Sequence, residues 1–244
     1  MINPVHEMRA FIDAALVEPI PRDHTESDAA FRRRRVVAAI TLVAGAVVLA
    51  LAVRIEPGDP RFYWATLAVA AIWAVGSFAG GRLHVGWART RSSELARPFV
   101  QSLALGVLLL VVFLLGALVV SRIPALRDPV DQLLDHARFG SLPLVAVITA
   151  LNGIGEELYF RGGLYAAVGR RRAVLVTTVI YAMTTVGTGI PLLVLAAGIV
   201  GFVVGLQRRV TGGILAPIIT HLTWSLGMLF LLPAALEIAD RMFA

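Results

Sequence analysis

The chain has 244 residues, of which 58% are hydrophobic and only 16% are charged, and its net charge is +6. Soluble domains carry about 25% charged residues, so this composition excludes a soluble domain and indicates a membrane protein. The absence of cysteine excludes a disulfide framework and a Cys-ligated metal. All 22 basic residues are arginines, and they lie in short clusters between apolar runs. That arrangement is typical of topology signals and does not indicate nucleic-acid binding.

Residues 1–31 form a polar N-terminal arm, in which HEMRAFIDAALV predicts one short helix, the alternative being a partly disordered tail. Apolar runs follow the arm, and the length of each run can be compared with the roughly 20 residues that a helix needs to cross a bilayer. An uncharged run at 173–207 is too long for one span, and GTGIP at 187–191 predicts its break. The predicted spans are therefore 36–53, 62–81, 98–121, 139–169, two in 173–207, and 210–236. The sequence predicts an all-α fold, a polytopic transmembrane bundle of about seven spanning helices.

The arginines also predict how the bundle is oriented. If the N-terminus is inside, 13 arginines lie in the cytoplasmic segments that follow the arm and 6 lie on the opposite side. Cytoplasmic loops of membrane proteins carry the excess of basic residues, so the N-terminus is predicted to be cytoplasmic. The outer segment 122–138 has apolar residues at helical spacing and predicts an interfacial helix. The exclusive use of arginine suggests a GC-rich genome, and we expect an integral protein of a bacterial plasma membrane.

The stretch NGIGEELYFRGG places three charged residues inside the fourth predicted span. An ionisable group at bilayer depth is costly, so it is expected to be paired and usually marks a functional path. Glu157 and Arg161 are spaced i and i+4, the preferred order for an ion pair on one helix face. Glu156 points about 100° away around the helix axis and has no partner on its own helix. Glu156 is therefore the residue predicted to do chemistry.

One histidine is predicted to lie at the same depth as these charges. Among the five histidines, only His221 falls inside a predicted span. Helix rise places Glu156 roughly 21 Å from the arginine cluster at 170–172 and places His221 roughly 18 Å from Arg209. A lone buried histidine is more often structural than catalytic. A glutamate-rich membrane helix in the same layer favours the catalytic interpretation.

Two motifs carry a resemblance to a known family. EELYFRG and, about 60 residues later, TGGILAPIITHLTWSL resemble the CAAX prenyl protease and bacteriocin-processing (CPBP or ABI) family of intramembrane glutamate endopeptidases. The resemblance covers 141–232 and implies that Glu156 activates a water. It also implies that His221 binds the oxyanion together with Ser225, which stands where the family usually has Asn. The implied family core is 139–236, after N-terminal transmembrane helices and loops at 32–138 and before a C-terminal tail at 237–244.

The sequence departs from the family at the second motif. VIYAMTTVGTG aligns Tyr181 with the family's Phe and Thr185 with a histidine that serves as general acid and base. Threonine has no titratable proton near neutral pH, so the resemblance implies weakened catalysis here. The family mechanism is metal-independent, and a single buried histidine is a poor zinc site. No metal and no cofactor are therefore expected.

Three functions remain open at this point. The first is an intramembrane endopeptidase that cleaves a peptide, prenylated or transmembrane substrate between its helices. The second is a non-catalytic, immunity-type family member that binds a membrane partner. The third is a transporter or proton relay, since buried charges also serve there. This sequence lacks the inverted repeat and the paired broken helices that are expected of many transporters. The expected partners are membrane lipid and a peptide or lipidated protein, as substrate or as binding partner.

Overall fold

A computed structural model describes residues 3–90, 94–169 and 171–243, and these residues are predominantly helical, which confirms the all-α class. The α-helices are α1 (Pro4–Ile12), α2 (Asp28–Ala52), α3 (Arg61–Gly80), α4 (Phe99–Val120), α5 (Pro124–Arg138), α6 (Leu142–Glu156), α7 (Tyr165–Val168), α8 (Ala173–Val186), α9 (Pro191–Thr211) and α10 (Leu215–Phe243). Two π-helical segments are π1 (Asp13–Val17) and π2 (Glu157–Leu164), and two short strands are β1 (Ala88–Arg89) and β2 (Leu95–Ala96).

Five of the described helices are long and apolar enough to cross a bilayer, namely α2, α3, α4, α9 and α10. The sequence predicts two further spans. One is the continuous helical segment formed by α6, π2 and α7, and the other is α8. Because α8 has 14 residues, it is about 21 Å long, shorter than a hydrocarbon core of about 30 Å. The membrane bundle is confirmed, and the count of seven spans stays a prediction.

Local sequence signals explain where several helices begin. The Ser27 hydroxyl accepts a hydrogen bond of 3.3 Å from the Ala30 amide and caps α2. A proline stands in the first turn of α5, α6 and α9, where its missing amide hydrogen costs no helical hydrogen bond. The predicted break at GTGIP is confirmed, because α8 ends at Val186 and α9 begins at Pro191. The predicted helices in the arm and at 122–138 are present as α1 with π1 and as α5.

The last predicted boundary is corrected by the structure. The sequence analysis begins the final span at residue 210, whereas α9 continues through Thr211 and α10 begins at Leu215. Gly212 has φ +69°, a left-handed conformation that ends α9 and that glycine adopts without strain. Residues 237–243, predicted as part of a tail, belong to α10.

The N-terminal arm packs against one end of the bundle. The Leu16 carbonyl accepts a hydrogen bond of 3.2 Å from Arg209 Nη2, and the Ile20 amide donates one of 3.0 Å to the Val210 carbonyl. The arm therefore lies across the end of α9. We call this the arginine-rich end of the bundle, after Arg34, Arg82, Arg208 and Arg209.

A second set of contacts defines the opposite end. The Ser141 amide donates a hydrogen bond of 3.1 Å to the Tyr63 hydroxyl, which joins the start of α6 to the start of α3. Arg127 of α5 forms an ion pair of 3.1 Å with Asp240 near the end of α10. Both contacts fit the predicted topology, in which these segments share one side of the membrane.

Small residues let the helices approach closely around an aromatic core. On α2, Gly45 lies directly against the indole of Trp73 on α3, a contact that leaves no room for a side chain. The Trp73 ring stacks on Tyr159 with centroids 4.6 Å apart, and the Phe160 ring lies tilted against Tyr181 at the same centroid distance of 4.6 Å. This core joins α3, π2 and α8 and supports the charged residues described below.

The loop that follows α3 folds back on the turn between α9 and α10. Its β1 and β2 form a small antiparallel hairpin. The Trp87 amide donates to the Thr211 carbonyl at 3.0 Å, and the Ile214 amide donates to the His84 carbonyl at 2.9 Å. Gly86, at φ +92°, packs directly on Gly213, so neither position has space for a side chain. The loop closes the arginine-rich end of the bundle.

Candidate active site

The charged stretch lies on a π-helix. All eight residues of π2, Glu157–Leu164, are buried. Short π-helical stretches inside α-helices occur frequently at functional sites. A methyl group placed on Gly162 would lie 2.8 Å from Leu83 Cδ2, so this glycine lets the loop after α3 approach π2. The i, i+4 spacing predicts a regular α-helix for this stretch, and the π-helix corrects that prediction.

Glu157 and Arg161 are paired, as their spacing predicts. Arg161 Nη1 lies 3.2 Å from Glu157 Oε1, and both side chains are fully buried. Arg161 Nη2 also donates a hydrogen bond of 3.0 Å to the Gly201 carbonyl of α9. A buried charge needs such compensation, because removing it from water costs several kcal/mol. The pair fixes π2 against α9.

His221 lies beside the two glutamates, but its closest contact is with Glu157. Its Nδ1 is 2.8 Å from Glu157 Oε1, whereas its Nε2 is 3.9 Å from Glu156 Oε2. The sequence predicts that His221 lies in the layer of Glu156, but it does not predict the contact with Glu157. The hydrogen bond to Glu157 orients the imidazole, so Nε2 is the ring nitrogen on the side of Glu156.

Glu156 has a partner from another helix, and that partner is Tyr181. The Tyr181 hydroxyl donates a hydrogen bond of 2.5 Å to Glu156 Oε2. The Tyr181 ring also lies beneath the Arg161 guanidinium, with 4.9 Å between Cζ and the ring centroid. Tyr181 aligns with a family phenylalanine, and the resemblance implies no role for it. The sequence does contain a signal for this contact, because tyrosine has a hydroxyl group that the family's phenylalanine lacks.

Thr185 lies on α8 one turn beyond Tyr181 and is buried. Its hydroxyl donates a hydrogen bond of 2.8 Å to the Ala182 carbonyl of its own helix. The position expected to hold a catalytic histidine therefore presents a hydroxyl that bonds its own backbone. Tyr181 supplies the contact between α8 and Glu156.

Ser225 follows His221 by one turn of α10. Its Oγ is buried and has no hydrogen-bond partner among the described residues. The neighbouring backbone of α6 is open at Gly153, where a methyl group would lie 3.9 Å from Ser225 Oγ and 3.0 Å from Leu222 Cδ2. A buried hydroxyl without a partner is costly, and it is available to an added acceptor. The Ser225 hydroxyl therefore meets the chemical requirement for binding an oxyanion.

Arg208 lies next to Arg209 at the end of α9, and its side chain is buried. Its Nε donates a hydrogen bond of 2.7 Å to the Arg161 carbonyl. Arg208 thus connects π2 to the arginine-rich end of the bundle.

The candidate active site therefore joins four helical segments. Glu156 ends α6, Glu157 and Arg161 lie on π2, Tyr181 lies on α8, and His221 lies on α10. Its groups can deprotonate a water and bind a developing negative charge. In the described part of the chain, no group of three or more His, Cys, Asp or Glu side chains is arranged to hold a metal ion.

The fold and the site together define a helical membrane protein with a buried charged cluster. Residues 138–227 match the model of the Rce1-like family, the type II CAAX prenyl endopeptidases. This region contains every residue of the site just described, and the match confirms the resemblance of this part of the chain to the CAAX-protease family. No curated protein and no solved structure gave a match to the chain.

Proposed function

We propose that the protein is an intramembrane endopeptidase of the CAAX-processing type, in which Glu156 activates the water. The exposure of the side chains supports this proposal most directly. The Glu156 side chain is 17% exposed, whereas Glu157 and Arg161 are fully buried and His221 is 5% exposed. Glu156 is therefore the charged group of the site that water and a peptide carbonyl can reach.

The proposed reaction uses Glu156 as base and then as acid. The Glu156 carboxylate takes a proton from water while the water oxygen adds to the carbonyl carbon of the scissile peptide bond. The carbonyl oxygen becomes an oxyanion, and it accepts hydrogen bonds from the Ser225 hydroxyl and from Nε2–H of His221 in its protonated form, as the family pattern implies. The C–N bond then breaks, and Glu156 gives its proton to the leaving amine. The carboxylate is restored, and the elements of water are divided between the two products.

The other groups of the site orient these reactants. Tyr181 bonds Glu156 Oε2, so Oε1 is the oxygen left to meet the water. Glu157 holds His221 through Nδ1, and Arg161 balances the charge of Glu157. The substrate is a peptide or prenylated protein tail that reaches the site from the membrane.

A second candidate function is that of a non-catalytic family member that binds a membrane partner. The observation that favours it is at Thr185, where the family histidine is absent and the hydroxyl bonds its own helix. The site then lacks a second acid–base group. The fold and the buried ion pair are retained in either case.

Cleavage of a farnesylated peptide with a CAAX terminus by the purified protein in lipid nanodiscs tests the proposal. The variants are Glu156→Gln and, as a matched control, Glu237→Gln, whose side chain is exposed on α10 away from the site. We expect cleavage by the native protein and by Glu237→Gln, and none by Glu156→Gln. If the native protein binds the peptide and leaves it intact, the non-catalytic function is favoured. Equal cleavage by all three proteins would show that Glu156 is not the base.

A further inference from the structure

A cavity of about 320 Å³ opens at the arginine-rich end of the bundle, separate from the Glu156 carboxylate. Its walls come from the N-terminal arm, the loop after α3, the end of π2 with α7, and the last turn of α9. The basic side chains in these walls are Arg22, His24, Arg82, His84, Arg208 and Arg209. The proposed peptidase reaction uses none of them.

Two of these arginines have guanidinium groups fixed by the fold. Arg208 lies over the Tyr165 ring, with 4.9 Å between Cζ and the ring centroid, and only 5% of the residue is exposed. Arg209 donates from Nη2 to the Leu16 carbonyl, and its buried Nε has no hydrogen-bond partner among the described residues. These side chains are pre-organised, so binding an anion requires little additional ordering.

The acidic residues at the cavity do not neutralise these arginines. Glu26 accepts its hydrogen bonds from Arg34, which lies behind the cavity wall. Within the described parts of the chain, none of the three residues Arg82, Arg208 and Arg209 forms an ion pair with a carboxylate. Asp28 is the remaining carboxylate of the wall. The cavity therefore has an excess of positive charge.

His84 lies in the same positively charged environment. Its ring stacks on that of His24, with centroids 3.6 Å apart. Burial, and then the charges of Arg208, Arg82 and Arg34, lower the pKa of His84 below its ordinary value. Burial disfavours a charge of either sign, but the contribution of the three arginines reflects a positive local potential, and a positive potential favours an anion.

We propose that this cavity binds the phosphate group of an anionic lipid headgroup. Planar guanidinium groups bind phosphate through paired hydrogen bonds, and the volume of the cavity exceeds that of one phosphate group. Basic pockets between membrane helices, at the depth of the headgroups, bind anionic lipids by this chemistry. A soluble phosphate ester offers the same group, so the experiment below separates the two sources.

The test uses the full-length protein in detergent and the exposed residue Arg82. The probes are short-chain phosphatidylglycerol, phosphatidylcholine of the same chain length, and inorganic phosphate, and binding is measured by native mass spectrometry and by the shift in melting temperature. Arg82→Gln is compared with Arg33→Gln, which removes the same charge from an exposed position on α2 outside the cavity. Arg209→Gln is the second variant in case Arg82→Gln changes the fold.

We expect the native protein to bind phosphatidylglycerol more tightly than phosphatidylcholine. We also expect Arg82→Gln to bind phosphatidylglycerol about tenfold more weakly than Arg33→Gln does, because it loses one charged hydrogen bond. Inorganic phosphate that binds as tightly as phosphatidylglycerol, with the same dependence on Arg82, would identify a soluble phosphate ester as the ligand and overturn the lipid assignment. Binding that is equal in Arg33→Gln and in both cavity variants would overturn the site itself.

Discussion

The Tyr181 hydroxyl and the Glu156 carboxylate are joined by a hydrogen bond of 2.5 Å between α8 and the end of α6. It is the contact through which the second motif reaches the proposed base. Because the Tyr181 ring also packs against the tilted ring of Phe160, the hydroxyl is held by the aromatic core and orients the carboxylate.

Tyr181→Phe removes only this hydroxyl. A hydrogen bond to a charged group contributes about 1.5–3 kcal/mol, so we expect peptide cleavage to fall by roughly ten- to a hundredfold while the ring packing is retained. The measurement is the cleavage rate in nanodiscs alongside the melting temperature. Tyr63→Phe, which removes a hydrogen-bonded hydroxyl at the opposite end of the bundle, is the control and should keep its activity. Equal cleavage rates for Tyr181→Phe and Tyr63→Phe would show that the Tyr181 hydroxyl has no role in the reaction.

The buried ion pair is predicted to serve stability more than chemistry. Arg161→Gln leaves Glu157 buried without its ion-pair partner, and breaking such a pair typically costs about 3–5 kcal/mol. Glu156→Gln keeps an amide oxygen that can accept from Tyr181, so its effect on stability should be small. Thermal unfolding in detergent should therefore show a clearly lower melting temperature for Arg161→Gln. The opposite order would reverse the roles assigned to the two residues.

The sequence predicted which residues of the site lie at the same depth, but it did not predict which of their side chains contact each other. Helix rise and the arginine clusters were enough to place Glu156 and His221 in one layer, because depth depends only on position along each helix. The contacts depend on how each helix is rotated about its own axis, and π2 changes that rotation within the motif itself. The spacing of residues on α8 alone therefore could not show that Tyr181, and not Thr185, contacts Glu156.

Gly201 on α9 is predicted to be required because it lies against the site. A methyl group there would be 3.1 Å from both Arg161 Nη2 and Tyr181 Cδ1, which is closer than ordinary contact. Gly201→Ala should therefore displace these side chains and lower cleavage. Gly198 lies one turn earlier on α9, where a methyl group meets nothing within 4 Å. Gly198→Ala should be neutral or gain up to about 1 kcal/mol of stability from helix propensity.

The topology prediction can be tested by labelling, because the chain has no native cysteine. We expect Thr25→Cys to react from the cytoplasmic side, and Glu56→Cys and Arg241→Cys to react from the outer side. The reason is the excess of arginines at the end of the bundle that the arm covers. A membrane-impermeant maleimide on intact cells measures this. Labelling of Glu56→Cys and Arg241→Cys from different sides would contradict seven spans.

The last prediction concerns Thr185, the position where the family has a histidine. Thr185 lies i+4 from Tyr181, so the two residues share one face of α8, the face that contacts Glu156. A histidine at this position would restore a second acid–base group, and such a group is typically worth 10² to 10⁴ in rate. We expect Thr185→His to raise the cleavage rate and Thr185→His/Glu156→Gln to abolish cleavage. Met183→His, on the exposed face of the same helix, is the control and should not raise the rate. If native cleavage is already fast and depends on Glu156, and Thr185→His adds nothing, the histidine is dispensable here, because Glu156 and the groups around it then complete the proton transfers on their own.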